Sequence, residues 1–307
     1  MFQQIFFVGL AQGILVNGVY VVRHCVKRLQ KYYFSAKFDR FNLYKIYSAA
    51  GLYMNIYSNI IPSLVSLCYL AGEKIMEVYE DEVSWDIEEK NDKSPLTKAD
   101  KESHLIIMNG LQSLPEKFPI ISEEGKNIPY EERKNWDTFW LVDPLDGTKE
   151  FIKRNGQFTV NISLIKAKKP VLGIIYAPAT KELYYGLQDE GSFKIVAGEK
   201  KKISVSQRKT DLIAVGSSSH ASEQEAQHLA PFAISETIKS GSSLKFCLVA
   251  EGKADIYLRT GPTMEWDTAA GHCIAECAGA SMTTLDYSIF EYNKESLLNG
   301  GFVCKAC

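Results

Sequence analysis

Apolar positions recur at helical spacing between Ile56 and Tyr79, at Ile60, Leu64, Leu67, Cys68, Ala71 and Ile75. This predicts a long amphipathic helix, with Pro62 accommodated in its first turn. A polar, acidic stretch from Glu80 to Lys93 follows, and Ser94 to Asp100 opens a second helix. Thr97 and Asp100 there have the spacing of a capping box, with the acid at the N3 position. Further on the period shortens to two. Residues 118–122 read as a short strand, and 158–165, 171–176, 182–186 and 192–196 as β-rich runs separated by KKP, PAT and DEG turns. These predict an antiparallel meander, with helices packed on it in an α+β first half.

The pattern changes near Ile203. A strand at 212–215 ends in Gly216-Ser-Ser-Ser-His220, and 221–230 reads as a helix. Gly241 to Lys245 opens an apolar helix through Ala250, and a strand at 254–259 ends on Arg259. Trp266 to Cys277 reads as a helix stopped by Gly279, and the last strands fall at 282–285 and 300–304. The expected division is therefore a subdomain at 54–202 and a second at 203–307, preceded by a leader at 1–53.

Met1 to Val22 carries no charged side chain and is followed by Arg23, His24, Lys27, Arg28 and Lys31. Gln3, Gln4, Gln12 and Asn17 dilute the apolar run, and its positive flank follows it, unlike that of a secretory signal. Two readings stand: an appended or mistranslated segment ahead of Met54, or a peripheral contact with the cytoplasmic face of an anionic membrane.

Composition narrows the class. A chain of 307 residues, 46% hydrophobic and 23% charged, can bury a large core and reads as a soluble globular enzyme. Lys and Arg total 35 against 37 Asp and Glu, a net charge of −2, which argues against a nucleic-acid polymer as partner and makes any anion site local. The 7 cysteines are odd in number and scattered, as suits reduced thiols in a cytoplasm, and Cys304-x-x-Cys307 is weak evidence for zinc.

The candidate chemistry is concentrated in Trp140 to Asn155, WLVDPLDGTKEFIKRN. Trp140 to Val142 reads as the end of a buried strand, Pro144 and Gly147 as a turn, and Thr148 to Ile152 as a helix start that attracts an anion. Asp143 and Asp146 would repel a phosphate there unless a hard divalent cation is held between them.

The run DPLDGTKEFIKRNGQFTVNI resembles the DPxDGT signature of the inositol monophosphatase superfamily and, within it, the bacterial CysQ branch of 3'(2'),5'-bisphosphate nucleotidases. The resemblance spans about Met54 to Phe302. It implies a layered α/β sandwich of the αβαβα type, its first half built on an antiparallel sheet and its second on a mixed sheet; the periodicities merely permit this. It implies Mg2+-dependent hydrolysis of the 3'-phosphate of adenosine 3',5'-bisphosphate to AMP and phosphate, a nucleotide-recycling step of sulfate assimilation, with sensitivity to lithium. Inositol or sugar monophosphates are the alternative substrates, and a catalytically silent nucleotide-binding protein is a third reading.

The same resemblance assigns Glu123, Asp143 and the Leu145 carbonyl to one Mg2+, and Asp143, Asp146 and Asp267 to a second, and it allows for a third, weakly held ion. Asp100 and Thr148 would orient and deprotonate the attacking water. Glu123, Gly147, Thr148, His220, Ser243, Lys245, Arg259 and Asp267 would contact substrate. Ser218 stands where related chains often carry arginine, so one expected cation is missing.

Overall fold

The computed structural model describes residues 57–81, 88–89, 95–217 and 223–306. The expectations for the leader, for Ser218 and His220, and for Cys307 lie outside these residues. A 3-10 turn at Ser58–Ile60 leads into helix α1, Ile61–Glu80, with Pro62 in its first turn. The two-residue strands β1 (Glu88–Glu89) and β2 (Pro95–Leu96) pair ahead of α2, Lys98–Ser113. Strand β3 is Ile120–Ser122, α3 is Tyr130–Arg133, β4 is Thr138–Asp146 and α4 is Thr148–Ile152.

The meander follows as β5 (Thr159–Lys166), β6 (Lys169–Ala177), β7 (Glu182–Leu187), β8 (Gly191–Val196) and β9 (Glu199–Ile203). Together β3 to β9 form a seven-stranded sheet in sequence order. It is antiparallel except at β3–β4, where the strands run parallel. The lysine-rich β9 carries no clear apolar alternation, which is why it escaped the pattern.

The remaining elements are β10 (Leu212–Ser217), α5 (Glu223–Leu229), β11 (Ile234–Ser240), α6 (Leu244–Ala250), β12 (Ile256–Arg259), β13 (Thr263–Met264), α7 (Glu265–Cys277), β14 (Ala280–Thr284), β15 (Leu298–Asn299) and β16 (Phe302–Ala306). Strands β11, β10, β12, β16 and β14 form a second sheet in that order, parallel across the first three and antiparallel across the last three. Edge strand β11, ISETIKS, is mostly exposed and polar, so burial left little mark on its sequence.

The layers follow from which faces are apolar. Helices α1 and α2 pack on each other and on one face of the first sheet, around Leu64, Ile75, Ile107 and Trp140. Helix α7 crosses the other face over β5, β6 and β7, and shares with α6 and the second sheet a core built on Phe246, Tyr257, Ile274 and Phe302. Leu229 and Phe232 cover the outer face of the second sheet at Ala214, Ile256, Leu258 and Val303. The result is a layered α/β sandwich.

Gly173 sets the height of α7. A Cβ there would lie 2.4 Å from the Ala270 carbonyl oxygen and 2.9 Å from Ala270 Cα, so only glycine lets the helix approach β6 this closely. Among the described residues no helix is long and apolar enough to cross a membrane. Cys68, Cys247, Cys273 and Cys304 are buried free thiols, and Cys277 is a half-buried one.

Candidate active site

Strand β4 delivers the acids. Every residue from Phe139 to Leu145 is buried, because β3 and β5 flank the strand and both of its faces are covered. The turn expected at Pro144 is absent: the strand continues to Asp146, and its register with β5 shifts between Asp143 and Asp146. A bulge explains this, since proline cannot donate to the ladder and is tolerated where pairing is interrupted. The reversal falls at Gly147 alone, at φ +89°, a conformation that a β-carbon disfavours. Asp143 Oδ1 accepts the Leu145 amide at 3.1 Å, which fixes the bulge.

Three elements converge on Asp143. Glu123 follows β3, Asp267 opens α7, and one carboxylate oxygen from each of Glu123, Asp143 and Asp267 lies within 4.8 Å of the others. This triad cuts across the two expected ligand sets. Burial pushes the Asp143 carboxyl well above the usual range, and the charges of Glu123, Asp146, Asp267 and Asp100 push it further. Asp267 is raised for the same reasons, first by burial and then by Asp146 and Glu123, although the Met264 amide donates to its Oδ2 at 2.8 Å. An all-oxygen set of mutually repelling carboxylates, with no cysteine or histidine among them, fits a hard divalent cation such as Mg2+.

Asp100 serves two structures at once. Its Oδ2 accepts the Thr97 amide at 2.8 Å, closing the expected capping box at the start of α2. Its Oδ1 faces the Thr148 hydroxyl at 3.2 Å, and that hydroxyl lies 3.4 Å from the Leu145 carbonyl. Ser103, one turn further along α2, donates to the Pro144 carbonyl at 2.8 Å and ties the helix to the bulge.

Asp146 faces the second half of the chain. Its Oδ2 accepts from the Ser243 amide at 2.6 Å, the Ser243 hydroxyl at 2.7 Å and Asn161 Nδ2 at 3.3 Å. Burial raises its pKa, while the hydrogen bonds from Ser243 and Asn161 and the charge of Lys245 pull it back. A cavity of about 170 Å3 opens beside it, lined in part by Gly147, Ser243, Lys245, Arg259 and Asp267. Lys245 is buried, and its Nζ donates to the Ser242 carbonyl at 2.5 Å. Burial, helped by the charge of Arg259, pulls the ammonium down to about 8 against the attraction of Asp146.

The structure therefore gathers Asp100, Glu123, Asp143, Leu145, Asp146, Gly147, Thr148, Ser243, Lys245, Arg259 and Asp267 around one corner between the two sheets. Sequence reasoning missed Thr159, Asn161 and Ser103. A signal for two of them was present: Thr159, Asn161 and Ser163 alternate as polar residues in an otherwise apolar strand, and all three are buried.

The chain is similar to known proteins over most of its length. CysQ 3'(2'),5'-bisphosphate nucleotidase of Salmonella typhimurium is 46% identical over 247 residues, covering 78% of this chain and 98% of the relative. The protein of the same name from Escherichia coli is 44% identical over 244 residues, or 79% and 98%. The crystal structure of CysQ from Bacteroides thetaiotaomicron, described as a bacterial member of the inositol monophosphatase family, superposes with a TM-score of 0.72 at 43% identity, covering 82% of this chain and 98% of that one. Residues 57–306 match the inositol monophosphatase family, and to that family the chain belongs.

Proposed function

We propose that the chain is a Mg2+-dependent phosphatase that hydrolyses the 3'-phosphate of adenosine 3',5'-bisphosphate, giving AMP and phosphate. The observation that carries this reading is the cavity in which Lys245 and Arg259 stand beside Asp146 and Asp267. Such a pairing offers acids for cations at the scissile phosphate and fixed cations for a second phosphate. The relatives that share 44–46% of aligned residues are named for this class of substrate.

Glu123, Asp143 and the Leu145 carbonyl would hold one Mg2+, and Asp143, Asp146 and Asp267 a second. The bound cations would make water more acidic and offset the charge of the attacking and leaving oxygens. The residues of the chain supply position and proton transfer. With Asp100 Oδ2 engaged by the cap, Oδ1 is the acceptor for the Thr148 proton. The Thr148 oxygen then has lone pairs with which to accept a hydrogen bond from water. As that water's oxygen attacks phosphorus, its proton moves through Thr148 to Asp100, the bond from phosphorus to the 3'-oxygen breaks, and the departing oxygen takes a proton from solvent water. Asp100 later returns its proton to solvent.

A phosphate-release panel tests the reading. Each charge-assisted hydrogen bond to the second phosphate contributes about 1.5–3 kcal/mol, so kcat/KM for adenosine 3',5'-bisphosphate should exceed that for inositol 1-phosphate by about an order of magnitude or more. Equal hydrolysis of both would favour a general monophosphatase, and no Mg2+-dependent release from either would favour a silent binding protein.

A further inference from the structure

Two side chains of β5 reach the acids without being acids themselves. Thr159 and Asn161 are two positions apart and so share a face of the strand. The register sets Thr159 opposite Asp146 and Asn161 opposite Asp143, on either side of the bulge. Both are buried. The Thr159 hydroxyl donates to Asn161 Oδ1 at 2.9 Å, nearer than its other acceptor, Ser242 Oγ, at 3.4 Å. Asn161 Nδ2 then donates to Ser243 Oγ at 2.9 Å and to Asp146 Oδ2 at 3.3 Å.

This relay has a direction. A carboxylate oxygen and an amide oxygen both only accept, so a turned-over Asn161 would place two acceptors face to face. The Thr159 proton on Oδ1 opposes that rotation. With the Ser243 amide at 2.6 Å and its hydroxyl at 2.7 Å, Oδ2 of Asp146 faces three donors of the protein, and the Ser243 hydroxyl also lies 2.9 Å from the Asp267 carbonyl.

We infer that Thr159 and Asn161 are positioning residues that present Asp146 to the divalent cation through its other oxygen, Oδ1, alone. The inference rests on the reading of Asp146 as a ligand given above. Single-oxygen ligation suits the small octahedral shell of Mg2+, whereas Ca2+ readily takes both oxygens of a carboxylate. The relay thus bears on which cation the site prefers as well as how tightly it binds.

Calorimetric titration of the intact, metal-free protein with Mg2+ and with Ca2+ tests this without reference to turnover. Asn161→Ala should weaken Mg2+ binding by about tenfold or more, the usual effect of removing a partner of a ligand. It should also narrow the difference in affinity between Mg2+ and Ca2+. Thr159→Val should shift both quantities in the same direction, and Thr159→Ser, which restores the hydroxyl, should return them to the parent values. If Asn161→Ala does not fold, the Thr159 pair decides alone. Parent-like Mg2+ affinity in Thr159→Val, or an equal loss in Thr159→Ser, would overturn the inference. A parent chain that binds no Mg2+ would overturn the proposed function with it, whereas an active, Mg2+-binding parent with indifferent variants would sink only the positioning role.

Discussion

The Thr148 hydroxyl lies 3.2 Å from Asp100 Oδ1, which joins the first turns of two helices across 48 positions of sequence. Each residue lies in the first turn of a helix, so the pair is held by two regular elements rather than by a loop. Thr148→Val removes the hydroxyl at nearly constant volume. It should lower kcat by roughly 10²-fold or more with little change in KM, as expected for a group acting in proton transfer. Asp100→Asn should lose a similar factor yet melt near the parent, because the amide oxygen can still accept from the Thr97 cap. Steady-state kinetics beside thermal melts separates the roles; unchanged kcat in both variants would leave Asp100 as a cap only.

The pH dependence follows from Asp143. Burial and the neighbouring acids raise its pKa in the metal-free fold, so the folded chain keeps a proton that the unfolded chain has already lost. Stability from this group therefore falls as pH rises above the unfolded value of about 3.9. Asp143→Asn removes the penalty. In EDTA, its Tm advantage over the parent should be smallest near the unfolded value and grow as pH rises above it until the folded carboxyl ionises as well, while added Mg2+ should stabilise the parent more than the variant. A gap that does not change with pH would show that Asp143 is already ionised at no cost.

Lys245 links specificity to pH. Burial brings its ammonium to about 8, so it is cationic at neutral pH and loses its charge above that value. The preference for the bisphosphate over inositol 1-phosphate should fade as pH rises from 7 to 9. Lys245→Gln should show a smaller preference that is flat across the same range. Ratios of kcat/KM measured at each pH check this; a flat ratio in the parent would remove Lys245 from recognition of the second phosphate.

Gly173→Ala tests how closely the site depends on packing. The new Cβ would strike the Ala270 backbone, and α7 would have to lift from β6. Overpacking of this kind costs about 1–3 kcal/mol. Because α7 also carries Asp267, Mg2+ affinity should fall together with Tm. A melting loss with unchanged Mg2+ binding would mean that the helix start is held independently of its middle.

Helices α1, α2 and α7 and strands β5 to β8 were legible because each buries one face or is wholly covered, which leaves a period in the sequence. Strand β9 and edge strand β11 were not, since exposed strands need no such period. The Pro144 bulge was misread as a turn because proline and two aspartates suit both; pairing with β5 decided between them.

The sequence by itself determined the chemical types available: the two acids of DPLDGT, the Thr97–Asp100 box and the Trp266-Asp267 helix start are local patterns, set by neighbours a few residues away. Which acids meet was decided only by tertiary structure. Glu123, Asp143 and Asp267 come within 4.8 Å because three separate elements end at one corner. The donors that engage Asp146 Oδ2 come from Asn161 and Ser243, 15 and 97 positions away. Contacts of that range depend on strand register and on the approach of α7 over Gly173, neither of which leaves a local signal in the chain.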